Sequence, residues 1–268
     1  MKLNESSKSR YNIEALSRGL EILTLFSALC PTLSLMQIVE KLKINKSTAY
    51  RVLSTLESSQ YLELDPSTRL YRPGLKVLQL GFTAINGIEL RQLARPHLER
   101  LSRMVGETVS LAVLNDFQTI YIDRIRNQMI VGVILEVGSS IPAHCTSLGK
   151  VLLADLPDEE INILLGKNLL TGFTIKTVVT ADELRSELIL ARKMGYALDD
   201  EELADGLRAV SAPIRDNNRR AIAAVNVTGT TNRISFERLY SEIIPALLDV
   251  TSQISTALGY FPEAGSQP

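Results

Sequence analysis

Only three residues, Lys43-Ile44-Asn45, separate two short stretches of helical period. Upstream, Leu35, Ile38, Val39 and Leu42 recur along LMQIVEKLK; downstream, Ala49, Val52, Leu53 and Leu56 fall on one stripe of KSTAYRVLSTL. Each stripe must be buried. So short a connection forces the two helices to pack across each other at a steep angle. Ser34, with Thr32, and Asn45 stand where side-chain caps would start them. Before them, Ile13, Leu16, Leu20, Leu23 and Phe26 predict a helix from Asn12 to about Leu29. After them, YLELDPSTRLYRP offers Tyr61, Leu62 and Leu64, a turn at Asp65-Pro66-Ser67, then Arg69, Leu70 and Tyr71. That is a hairpin signal. Three helices and a hairpin make a winged helix-turn-helix over residues 1–75.

In that geometry the third helix enters the major groove, with its first turn at the base edges. Here the turn carries Lys46, Ser47, Thr48, Tyr50 and Arg51. Lys46 and Arg51 are placed to hold phosphates, Ser47, Thr48 and Tyr50 to discriminate bases. Arg69 in the hairpin reaches the neighbouring backbone or minor groove, and Gln37 of the second helix joins the DNA-facing set. The turn before such a helix often holds glycine. Lys43 stands there instead, which costs little provided it avoids positive φ.

Charge supports the division. Residues 1–75 hold ten Lys/Arg against seven Asp/Glu, a local +3, so the remainder carries −4 of the net −1. A mildly basic head on an acidic body fits a DNA-binding module with a different partner domain. No apolar run approaches the ~20 residues of a spanning helix, and the N-terminus lacks the apolar core of a signal peptide. Cys30 and Cys145 have no metal or redox spacing. A cytoplasmic protein is expected.

Residues 76–105 are helical by period and read as a linker, interrupted by Pro96. Pro96 marks either a kink or, the preferred reading, the first turn of a new helix. From 106 to 268 the pattern is short strands, ETVSLAVL, TIYIDRI, MIVGVILEV, LRAVSAPI and RAIAAVNVT. Helices are expected near 146–155, 182–194 and 235–258. Adjacent strand pairs with intervening helices give an antiparallel sheet with covered faces, an α+β domain. Within PAHCTSLGKVLLA a helix begins near Thr146 or Ser147. Unpaired amides at 146–149, with Gly149 allowing close approach, suit a carboxylate. Asn226 and Thr228 alternate along a strand and face the same way.

The segments KSTAYRVLSTLESSQYLELDPSTRLYRPGLKVLQLG, GSSIPAHCTSLGKVLLA, GYALDDEELADGLRAVSAPIRD and AAVNVTG, in that order, resemble the IclR family of bacterial transcription regulators. The likeness runs from about residue 12 to residue 258. It implies a winged helix, a linker helix and a GAF-like effector-binding domain. It also implies dimers, often paired into tetramers, on palindromic operators of double-stranded DNA near catabolic genes. By resemblance the PAHCTSLG loop, with Ile141, His144, Cys145, Thr146, Ser147, Leu148 and Gly149, holds a small carboxylate effector. Asp199, Leu207, Ala209, Asn226 and Thr228 complete its pocket. PAHCTS leans towards the branch that senses aromatic acids, although a short keto acid would suit the same walls. Asp200, Glu201 and Glu202 read as a solvated turn.

Enzyme readings find little support. His144 and Cys145 are neighbours on what reads as an extended segment, so their side chains point apart. No phosphate loop, dinucleotide glycine pattern or zinc spacing is present, and neither a cofactor nor a metal is expected. The other class of function is a ligand-sensing module that acts through protein partners rather than DNA. Loss of function on replacing Lys46 and Arg51 separates the two.

Overall fold

The computed structural model describes residues 13–27, 30–86, 89–126 and 135–261. Contacts divide the chain into two units, Met1–Gly87 and Ile88–Pro268.

In the first unit, α1 (Glu14–Thr24), α2 (Leu35–Leu42) and α3 (Lys46–Ser58) pack around Ile22, Leu33, Ile38, Leu53, Leu62 and Tyr71. Helix α1 ends short of the predicted Leu29, because Ser27 and Cys30 exchange backbone hydrogen bonds and turn the chain. Ser34 and Gln37 form a reciprocal capping box at the start of α2. The expectation for Lys43 fails. It ends α2 in the left-handed region, φ 51° and ψ 40°, and its N–H donates to Val39 O. Ile44 N–H reaches the same carbonyl. A connection this short therefore takes the strained conformation without glycine, at roughly 1–2 kcal/mol. Strands β2 (Leu62–Leu64) and β3 (Leu70–Pro73) make the wing, and β1 (Leu33–Ser34), too short to leave a sequence pattern, adds to β3. Helix α4 (Leu75–Asn86) completes the unit.

The linker segment is divided between the units. Helix α5 (Glu89–Val105) belongs to the second, where Ala94, Leu98, Leu101 and Val105 are buried. Pro96 does not begin a helix: α5 runs through it, and its buried stripe continues on both sides. The sheet is antiparallel and six-stranded, in the order β6 (Ser140–Pro142), β5 (Gln118–Ile125), β4 (Thr108–Asn115), β9 (Ala221–Thr230), β8 (Leu207–Arg215), β7 (Ala197–Asp200). On one face, α5 and the last helix cover Val109, Leu111, Val210, Ala212, Val225 and Val227. That helix runs from α9 (Phe236–Arg238) through a π turn (Leu239–Ile243) into α10 (Ile244–Ala257). The other face carries α6 (Ser147–Leu153), α7 (Asp158–Lys167) and α8 (Ala181–Met194). Helix α7 is absent from the sequence reading. Its signals were the Pro157 start and three acids in its first turn. Of MIVGVILEV, residues 129–134 lie outside the described residues.

Helix α6 lies against a short 3-10 turn, Ala143–Cys145, at a distance only glycine permits. A Cβ on Gly149 would sit 2.0 Å from Ala143 O and 2.3 Å from Ala143 Cα. A Cβ on Gly166, in α7, would meet nothing within 4 Å. Gly149→Ala should destabilise the second unit by about 2 kcal/mol or more, whereas Gly166→Ala should stabilise it by about 0.5 kcal/mol. Thermal unfolding followed by circular dichroism distinguishes the two signs.

Candidate nucleic-acid interface and effector site

Asn45 Oδ1 starts α3 by accepting from Thr48 N–H at 2.7 Å, and Ser47 Oγ donates to the same oxygen at 3.2 Å. This cap fixes the first turn and leaves Lys46, Ser47, Tyr50 and Arg51 exposed on it, with Thr48 half-buried. Tyr50 is 57% exposed, which leaves its ring and hydroxyl open to a partner. Gln37 is exposed, but its Oε1 accepts from Ser34 N–H at 2.8 Å, so only its amide nitrogen is available to DNA. Arg69 is exposed in the wing at φ 58°. Asp65 closes that turn: it accepts from the Ser67 hydroxyl and from the Ser67 and Thr68 amides, which hold its carboxyl down at about 2. Helix end and wing are thus each pre-set by a short polar side chain.

In the second unit, register brings most of the pocket candidates to the α6 face of the sheet. Thr228 stands opposite Ala209, and Ala209 opposite Asp199. In the next row Asn226 stands opposite Ser211 and Ser110. Asn226 Nδ2 donates to Thr228 Oγ1 at 2.6 Å and its Oδ1 accepts from Ser110 N–H at 3.1 Å. Above the row, Ser211 Oγ donates to Ser147 Oγ at 2.7 Å. Leu207 opens β8 on the same face, opposite Thr230. Ile141 and Leu148 pack in the apolar part of this side. Ser110, Ser211 and Tyr121 are the residues missed in the sequence. Thr108 and Ser110, alternating in an otherwise apolar strand, were the available signal.

The loop itself differs from expectation. Thr146 caps α6 by accepting Gly149 N–H at 3.0 Å, so one of the four amides is already taken. Gly149 admits its own chain, Ala143, rather than a ligand. His144 and Cys145 lie in a 3-10 turn, not an extended segment, and still diverge. His144 stacks on Phe117 at 5.9 Å with Nε2 3.0 Å from Thr171 O, and burial lowers its pKa. Cys145 donates to Pro142 O, and burial pushes its thiol up to about 12.

The acidic run is not a solvated turn. Asp199 is 2% exposed; its Oδ1 accepts from the Glu202 and Leu203 amides, and burial raises its carboxyl to about 7. Asp200 pairs with Arg208, and Glu201 with Lys176. Glu202 is buried against Lys150 Nζ at 2.5 Å.

A helix-turn-helix with a wing, joined in one chain to a GAF-like sheet domain, agrees with the profiles that match. Residues 15–66 match the IclR helix-turn-helix domain, and residues 82–256 match the bacterial transcriptional regulator IclR C-terminal family. The chain belongs to the IclR family. Among its relatives, the HTH-type transcriptional regulator XynR of Escherichia coli is 34% identical over 92% of this chain and 98% of its own length. The acetate operon repressor of Salmonella typhimurium is 28% identical over 92% and 90%. A crystal structure of an IclR homolog from Microbacterium hydrocarbonoxydans, complexed with 4-hydroxybenzoate, superposes with TM-score 0.72 at 26% identity, covering 91% of this chain and 98% of that one. IclR proteins are DNA-binding transcription regulators, not enzymes, and that class now holds for this chain. No helix among the described residues is long and apolar enough to cross a membrane.

Asp199 yields a pH prediction. Its folded pKa of about 7 lies above the ordinary 3.8, so the folded protein keeps a proton that the unfolded chain releases. Stability from this group therefore falls as pH rises from about 4 through 7. Asp199→Asn keeps the acceptor for the two amides. Calorimetric Tm values between pH 5 and 7 should fall more steeply in the parent than in the variant; any slope left belongs to groups such as Glu202, which burial also raises.

Proposed function

We propose that this protein controls a catabolic operon by binding a palindromic operator as a homodimer or dimer of dimers in the cytoplasm, with a small organic acid setting the affinity. The observation that carries the reading is the capped first turn of α3, with Lys46, Ser47, Tyr50 and Arg51 exposed beside Thr48, in a chain whose second unit holds a buried polar row. A dimer presents two such helices to half-sites about one helical turn apart, or a multiple of it. Phosphate contacts from Lys46, Arg51 and Arg69 supply affinity, while Ser47, Thr48 and Tyr50 read bases. The 4-hydroxybenzoate held by the Microbacterium homolog supports an aromatic acid as effector. The acetate operon repressor supports repression as the mode of action.

The acid acts only if it binds the DNA-competent and incompetent arrangements unequally. A hundredfold preference moves that balance by about 2.7 kcal/mol, enough to switch operator occupancy. Fluorescence anisotropy on DNA from upstream of the protein's own gene tests the reading. The Lys46→Ala, Arg51→Ala double variant should bind at least about tenfold more weakly, with a log–log salt slope smaller by about two. A folded double variant that binds as tightly as the parent removes the DNA-reading role from this helix.

A further inference from the structure

The turn between α2 and α3 holds a lysine where its backbone favours glycine. Lys43 sits at φ 51° and ψ 40° with its side chain exposed. Glycine adopts that conformation without steric cost and asparagine at little, whereas a lysine Cβ crowds the following carbonyl oxygen. Among the described residues of the first unit, Gln60 and Arg69 are the other non-glycine residues with positive φ. Gln60 only closes the end of α3, where its N–H donates to Glu57 O at 2.8 Å. The two cations stand instead in the turn that leads into α3 and in the wing.

No contact within the unit accounts for a cation at position 43. Among the described residues, Arg18 pairs with Glu14 and Glu21, Arg72 pairs with Glu63, and Lys76 lies over the Tyr61 ring; Lys43 meets neither carboxylate nor ring. The negative end of α2 already has Lys41 in its last turn. One more exposed cation at a helix end gains less than left-handed strain costs. Position also matters. Lys43 precedes Lys46, the first residue of α3, by three residues, which span at most about 11 Å. The major groove is about 12 Å wide. With the first turn of α3 in that groove, the phosphates of its walls come within reach of a long side chain on the turn.

We propose that Lys43 is a further DNA-binding residue, a phosphate contact made from the turn itself, and that the unit keeps a strained backbone for it. Lysine suits the role as a compact charge on a flexible stem. A phosphate contact carries no sequence information, so Lys43 raises affinity for any duplex and leaves discrimination to Ser47, Thr48 and Tyr50. It also lowers the stability of the unit it serves, the opposition expected of a strained functional position. The assignment rests on the reading that the first turn of α3 enters the groove.

Fluorescence anisotropy of the full chain tests it across a salt series, on DNA from upstream of its own gene and on an unrelated duplex of equal length. Lys43→Gly and Lys43→Asn should hold both duplexes at least about fivefold more weakly, with a log–log salt slope smaller by about one for each bound protomer. Lys43→Arg, which keeps charge and strain, should stay near the parent. Hydrogen exchange gives the second readout: peptides covering α2 and α3 should exchange about fivefold more slowly in Lys43→Gly. A merely structural lysine would change exchange and leave the salt slope alone. If both uncharged variants keep the parent's affinity and slope, the contact is overturned. A loss in Lys43→Gly that Lys43→Asn does not share belongs to backbone freedom and overturns it equally. Exchange no slower than the parent's removes the strain from the proposal. The Lys46→Ala, Arg51→Ala variant runs beside these: if it too binds as the parent does, the reading of α3 has failed, and not this contact alone.

Discussion

The second unit is organised around one buried ammonium. Lys150 is 1% exposed, and its Nζ meets Glu202, Glu187 at 3.2 Å and Leu198 O at 3.1 Å. Taking a lysine out of water costs several kcal/mol, and only close partners offset it. Those partners come from α8, from edge strand β7 and from the turn that follows it, so the charge fastens three elements to α6. The same turn brings the Glu202 and Leu203 amides to Asp199. The buried carboxyl of Asp199 is thus held in place by a charge located one layer away.

That arrangement makes the two faces of the sheet different materials. Towards α5 and α10 the strands present Val109, Leu111, Val210, Val225 and Val227, which interdigitate as an ordinary dry core. Towards α6 the same strands present Thr108, Ser110, Ser211, Asn226 and Thr228. Alternation along each strand permits both at once. The apolar face supplies cohesion, which allows the polar face to keep groups whose hydrogen bonds are not all used.

Much of this was legible in the sequence where it depends on neighbours in the chain. The α2–α3 stripes, the Ser34 and Asn45 caps and the Asp65 wing turn are local, and each was read correctly from a few residues. Asn226 and Thr228 were likewise readable as one face of a strand. The left-handed Lys43 was not, because its backbone is imposed by two helices rather than chosen by lysine. Strands of two to four residues, such as β1 and β7, carry too few side chains to show a period. Glu202 looked like surface because its partner, Lys150, lies 52 residues away in sequence. Gly149 was read as space for a ligand when the occupant was Ala143, and only the folded chain distinguishes them.

Cys145 ends the 3-10 turn that leads into α6, with its thiol fully buried, bonded to Pro142 O and pushed up to about 12. Peroxides and other electrophiles attack the thiolate, and at neutral pH almost none of this sulfur is in that form. The loop therefore stays chemically silent under oxidative stress. Peroxide can therefore rise around the protein without covalently altering the turn that seats α6 on the sheet.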